Sequence, residues 1–220
     1  MRLLGQAVLA PVLLLGLLLA VPATAQRSGA AAGDFDHYLL VLSWVPGWCD
    51  IEEVAPGRDG RCAAGSGTGW GLHGLWPQDP DGWPEFCRTP ARDPSRRETA
   101  AMADLMGSGG QAWYQWRKHG RCSGLDPADY FAQARAGFAA LALPDPSALA
   151  GGGRMRPEVL ARALRAANPG LPEDGQAVIC RGGGLLEVRV CLTREMAPRG
   201  CTAAVLARAC RSRVAVAPAP

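Results

Sequence analysis

The residues best suited to chemistry in this 220-residue chain are two of its three histidines and its single lysine. His73 stands in the block Gly71-Leu72-His73-Gly74-Leu75-Trp76-Pro77, and Lys118 and His119 are neighbours in Lys118-His119-Gly120. Apart from the histidines, every other basic side chain is arginine, so Lys118 is more than a source of positive charge. Two imidazoles and an ammonium suffice for phosphoryl transfer on RNA without a metal. Such a reaction takes a proton from the ribose 2′-OH and gives one to the departing 5′-oxygen. Imidazole suits both roles because its ordinary pKa lies near the working pH. One ring must start neutral and the other protonated. A preorganised ammonium beside them holds the charge that builds on the phosphorane.

His73 and His119 are 46 residues apart, so only the fold can bring them together. Thr68 to His73 alternates with glycine and reads as a strand whose end hands His73 to a turn. Gln111 to Lys118 reads as a short helix, with Gly120 in the left-handed position just past its end. His119 would then sit at a helix C-terminus, which favours a cationic ring.

Around these, His37–Trp44 is an apolar run of strand formers ended by Pro46-Gly47. Helices are expected from Ser95 to Met106, stopped by Gly107; from Pro127 at N1 to about Leu141; and from Pro157 to Ala167. Ala177–Arg181 and Leu185–Leu192 read as strands joined at Gly182-Gly183-Gly184, a hairpin. In the second of them Glu187 and Arg189 alternate with Val188 and Val190. Strands, then helices, then strands without a βαβ rhythm predict an α+β domain. Pro56 to Gly69 and Ala142 to Gly153 are expected as loops, and 214–220 as a frayed tail.

The N-terminus carries Met1-Arg2, an apolar run from Leu3 to Val21 and the small residues Ala23-Thr24-Ala25. This is the pattern of a secretory signal peptide over 1–25, cut after Ala25, with one domain at 26–220. A retained membrane anchor is the competing account, since 19 apolar residues can just span a bilayer. The net charge of +3 permits an anionic partner without predicting one. Cys49, Cys62, Cys87, Cys122, Cys180, Cys191, Cys201 and Cys210 make an even count. In an exported chain that means a disulfide framework. Zinc is the rival use of Cys and His, but no C-x-x-C pair occurs.

The His73 block and Trp116-x-Lys118-His119-Gly120-x-Cys122 resemble the two active-site signatures of the ribonuclease T2 family. Leu40 to Cys49, Gly124 to Phe131 and Leu186 to Thr193 are similar to further stretches of that family. The resemblance implies a mostly antiparallel sheet with surrounding helices, and a disulfide-stabilised single domain. It implies the pairs Cys49–Cys62, Cys87–Cys122, Cys180–Cys210 and Cys191–Cys201. By the same resemblance His73 is the general acid, His119 the general base and Lys118 the transition-state cation, while Trp76 stacks on a nucleobase.

Two positions depart from the family pattern. Gln115 stands where the family usually has Glu, and Tyr114 where it often has His. Glutamine can donate to a phosphate oxygen but cannot take a proton or raise a neighbouring imidazole's pKa. Tyr114 can offer its hydroxyl to the phosphate.

The sequence thus predicts a secreted or periplasmic, monomeric endoribonuclease. Its substrate is single-stranded RNA, it needs no metal or cofactor, and it has no membrane contact once the leader is removed. A catalytically weak RNA-binding or signalling relative of the same fold is the first alternative, and an exported Trp-rich carbohydrate-binding module the second. Cys122, three residues past His119, invites a thiol nucleophile, but the even count assigns it to a bridge. His37 and Trp44, Trp48, Trp70, Trp83, Trp113 and Trp116 are expected to pack. Gln78, next to the first block, is a candidate for reading a base.

Overall fold

The computed structural model describes residues 25–55 and 57–219, so the leader expected over 1–25 lies, up to its last residue, outside them. The strands are β1 (Ala25–Ser28), β2 (His37–Trp44), β3 (Trp70–Gln78), β4 (Gly82–Glu85), β5 (Arg154–Met155), β6 (Gln176–Arg181), β7 (Gly184–Leu192) and β8 (Val214–Ala215). The helices are α1 (Val45–Ile51), α2 (Arg96–Ala100), α3 (Ala103–Met106), α4 (Gly109–Lys118), α5 (Pro127–Ala139), α6 (Pro146–Ala150), α7 (Pro157–Ala167) and α8 (Ala203–Leu206). The class is α+β, with one mostly antiparallel sheet and helices packed on it.

The sheet runs β3-β2-β7-β8-β5, with β6 on β7. β2 lies at its centre, flanked antiparallel by β3 and β7. Its unbroken apolar run is buried on both faces, as such a position demands. One face, with Leu40, Leu42, Leu72, Leu75, Val188 and Val190, packs on the helices to form the main core. The other, with Leu39, Val41, Ala177 and Ile179, makes a smaller core that Trp76 packs against. The β6–β7 hairpin turns at Gly182 and Gly183, whose φ values of 58° and 81° are what a tight two-residue turn needs.

All four disulfides join the cysteines that the resemblance pairs: Cys49–Cys62, Cys87–Cys122, Cys180–Cys210 and Cys191–Cys201.

Several expectations need correction. The tail does not fray: Val214 and Val216 are buried, and the Trp44 indole donates to the Ala217 carbonyl at 2.9 Å. Apolar side chains spaced two apart let the segment join the sheet as β8. The stretch 142–153 is not all loop, because Asp145 accepts from the Ser147 and Ala148 amides and so caps α6. Gly120 is not left-handed; that role falls to Gly124, with φ 80°. Gly120 is required by packing instead, since a Cβ there would lie 2.7 Å from Trp116 and 2.8 Å from Tyr130.

Candidate active site

His73 reaches the site through a β-bulge. Val41 of β2 pairs with Gly74 and Leu42 with Leu72, so His73 is an extra residue with no partner across the strand. Leu72 and Leu75 both enter the main core although three residues apart. Strict alternation would send His73 to the same face as Leu75; the bulge turns it to the other. His73 therefore sits inside a nine-residue strand, not at a strand end as expected. Its ring lines a cleft of about 510 Å³ shared with Trp48, Trp76, Ser108 and Gln111.

Helix α4 supplies the second set. Ser108 caps it by accepting from the Gln111 amide at 3.0 Å, and Ala112, Gln115 and Trp116 face inward. His119 ends it, its amide donating to the Gln115 carbonyl at 2.9 Å. The residue is only 5% exposed, and Nδ1 is buried without a hydrogen-bond partner among the described residues. Burial pushes its pKa well below that of an ordinary imidazole, and the charges of Lys118 and His73 push the same way. The cationic ring expected from the helix end is thus overruled. A helix terminus contributes about 0.3–2 kcal/mol, less than desolvation withdraws from a buried charge.

Trp76 joins the two sets. Its indole stacks on His119 with ring centres 4.7 Å apart and meets His73 edge-on at 5.0 Å. Its N–H donates to Gln115 Oε1 at 2.8 Å. Both partners press on Gly74, where a Cβ would lie 2.5 Å from Gln115 Oε1 and 2.5 Å from the indole nitrogen. The two sequence blocks thus meet through Trp76, over a position where a Cβ has no room.

Lys118 points to Glu85, with Nζ 3.7 Å from Oε2. Glu85 also accepts from the Gln26 amide of β1. The Phe86 amide donates to the Lys118 carbonyl at 2.8 Å, and Cys87–Cys122 fixes the same pair of segments.

The structure thus brings His73, Trp76, Gln115 and His119 into contact, with Lys118 at their edge. Tyr114 is 45% exposed and touches none of them through a hydrogen bond. Trp113, expected to pack, is 40% exposed, with Arg117 over its ring at 4.8 Å. Gln78 is buried; its amide donates to the Pro77 carbonyl, and it borders a small hollow of about 70 Å³ beside Trp76 and Trp83. His37 is wholly buried against Asp36. Among the described residues, no three His, Cys, Asp or Glu side chains gather as a metal ion would require.

Glu187 and Arg189 of β7 escaped the sequence reading. Glu187 Oε2 lies 3.1 Å from His73 Nδ1, and its Oε1 accepts from Arg189 at 2.8 and 2.7 Å. The signal was present as two opposite charges two residues apart on one strand face. Alternation alone reads such a pair as facing solvent.

The family model of the ribonuclease T2 family matches residues 35–151, which hold both sequence blocks. The chain belongs to the ribonuclease T2 family. A ribonuclease of Aeromonas hydrophila is 38% identical over 120 residues, 54% of this chain and 53% of that protein. Ribonuclease 3 of Arabidopsis thaliana is 35% identical over 115 residues, 46% of this chain and 50% of that one. The chain spans about half the length of the curated relatives it matches. In fold it is similar to an RNase-related protein from Calystegia sepium, with TM-score 0.64, 19% identity, and coverage of 82% of this chain and 96% of that one. It is also similar to RNase NT, solved in complex with 5′-AMP, with TM-score 0.56, 20% identity, and coverage of 82% and 97%.

Proposed function

We propose that the chain is an exported endoribonuclease that cuts single-stranded RNA by transesterification, with no metal or cofactor. The observation that carries this is the unequal pair of imidazoles on one indole. His119 is buried and held neutral, as a base must be. His73 lines an open cleft with a carboxylate at its back, the setting of an acid that must carry a proton.

In the reaction His119 takes the 2′-OH proton and the 2′-oxygen attacks phosphorus. The bond from phosphorus to the 5′-oxygen breaks, and His73 protonates that oxygen. The products are a 2′,3′-cyclic phosphate and a free 5′-OH. Lys118 leaves Glu85 to meet the non-bridging oxygens as charge builds on them. The Trp76 indole occupies the space between the rings, so substrate must displace it from His119. Released, it offers its face to a nucleobase, a stack worth about 1–3 kcal/mol. The hollow beside Trp76 and Gln78 adjoins that face. Tyr114 lends its hydroxyl to the phosphate from the rim.

Gln115 lowers turnover in this scheme. Its Oε1 is already engaged by Trp76, and an amide provides no negative charge to favour protonated His119. Residues 1–25 serve as a cleaved leader, and the mature chain acts as a monomer outside the cytoplasm, where four disulfides persist.

Incubating the purified protein with RNA in EDTA tests the proposal. Cleavage leaving 2′,3′-cyclic phosphate ends, abolished in His119→Ala, is expected; RNA that is bound but left intact would favour the non-catalytic relative.

A further inference from the structure

Glu187 lies beyond the residues 35–151 that the family model covers, yet it reaches one of the two imidazoles. Its placement follows from the sheet register: Ser43 pairs with Glu187 and Val41 with Arg189, while the same two residues of β2 pair with Gly71 and Gly74 of β3. The bulge at His73 therefore projects its ring over β2 toward the β7 carboxylate. At 3% exposure, an ionised carboxylate costs several kcal/mol unless its oxygens are satisfied.

Arg189 satisfies only one of them. A guanidinium pairing with a carboxylate for stability alone favours a fork, one N–H to each oxygen. Here Nε and Nη2 both converge on Oε1, and Oε2 is left to His73 Nδ1. The arrangement has the form of a relay, with arginine holding the carboxylate and the carboxylate holding the imidazole.

We propose that Glu187 is a positioning residue for the reaction: it holds the proton on His73 Nδ1 and aims Nε2 into the cleft as the nitrogen that protonates the leaving oxygen, with Arg189 fixing the carboxylate. The proposal rests on the ribonuclease reading for its kinetics but not for its structure. The groups facing His73 are Glu187 and Arg189 from β7 and His119 across Trp76, with the pairs Arg61–Asp59 and Arg181–Glu52 in the cleft wall. Of these, Glu187 is the anion in direct hydrogen-bond contact with the ring.

The test uses two substrates and one spectrum on the full chain. On a dinucleoside monophosphate, Glu187→Ala is expected to lose roughly tenfold or more in kcat, bounded by the 10²–10⁴ that a general acid contributes. On a nucleoside 3′-(aryl phosphate), whose leaving group departs without a proton, the loss is expected to vanish. Glu187→Gln keeps an acceptor for Nδ1 without the charge. It should fold where Ala does not and keep the tautomer. Nitrogen-15 imidazole spectra should place the His73 proton on Nδ1 in the native chain and in Glu187→Gln, and release it in Glu187→Ala. Equal loss on both substrates, or an unchanged tautomer in Glu187→Ala, overturns the proposal. A native chain that cleaves neither substrate overturns the ribonuclease reading instead, and the spectra still decide the role of Glu187.

Discussion

The two imidazoles touch the same indole and are built in opposite ways. His73 rides on a bulge in a sheet strand, opens to the cleft and is backed by a carboxylate. His119 ends a helix, is buried under Trp76 and finds no partner for Nδ1 among the described residues. The proposed reaction asks two opposite proton roles of the same side chain, and the surroundings differ accordingly: burial disfavours charge on His119, while a carboxylate stands 3.1 Å from His73.

The harshest way to break this comparison is to remove each ring in turn. His73→Ala and His119→Ala are each expected to lower kcat/KM by about 10²–10⁴. If, as proposed, acid and base act in one transition state, the double variant should lose little more than the worse single one. Full additivity, measured on a dinucleoside monophosphate, would mean that the two rings do not serve the same step. Lys118→Ala comes next: under the proposed reaction, which calls on its charge only as the phosphorane forms, the expected loss is about 10²–10³ in kcat with little change in KM. A change confined to KM would make Lys118 a ground-state phosphate contact.

A smaller effect sharpens the contrast between the rings. Gln115→Glu places a carboxylate in the buried setting that His119 shares. The new charge favours protonated His119, so the acidic limb of kcat/KM should move to higher pH and kcat should rise. An unchanged rate and profile would separate Gln115 from the chemistry altogether.

How much of this was legible in the sequence depends on distance along the chain. The β2 strand, the α5 and α7 starts at proline, the β6–β7 hairpin and both sequence blocks follow from local pattern, and the structure carries each near its expected bounds. The bulge at His73 did not follow, because it exists only in the pairing with β2. Glu187 and Arg189 read as an ordinary alternating strand, since their burial is imposed by elements over a hundred residues away. The burial that lowers the pKa of His119 was missed for the same reason. A helix end is visible in sequence, whereas the Trp76 indole that covers it is a tertiary fact. The tail was misjudged because its small alanines hide two valines on one face.

The gentlest test concerns stability. Burial lowers the pKa of His119 and also that of His37, where contact with Asp36 pulls upward but does not win. In both cases the unfolded chain binds a proton more readily than the folded one. Their contribution to stability is therefore fully present above the ordinary imidazole value of about 6.5 and is lost as pH falls toward the folded values. Each ring that is held neutral adds a slope of at most about 1.4 kcal/mol per pH unit across that window. Tm measured from pH 7.5 to 5.5 should fall, in a range where few carboxylates change charge. His119→Asn should flatten the curve and leave the part that belongs to His37. A His119→Asn curve as steep as the native one would mean that His119 accepts its proton without unfolding, and the contrast between a buried base and an open acid would then fail at its buried end.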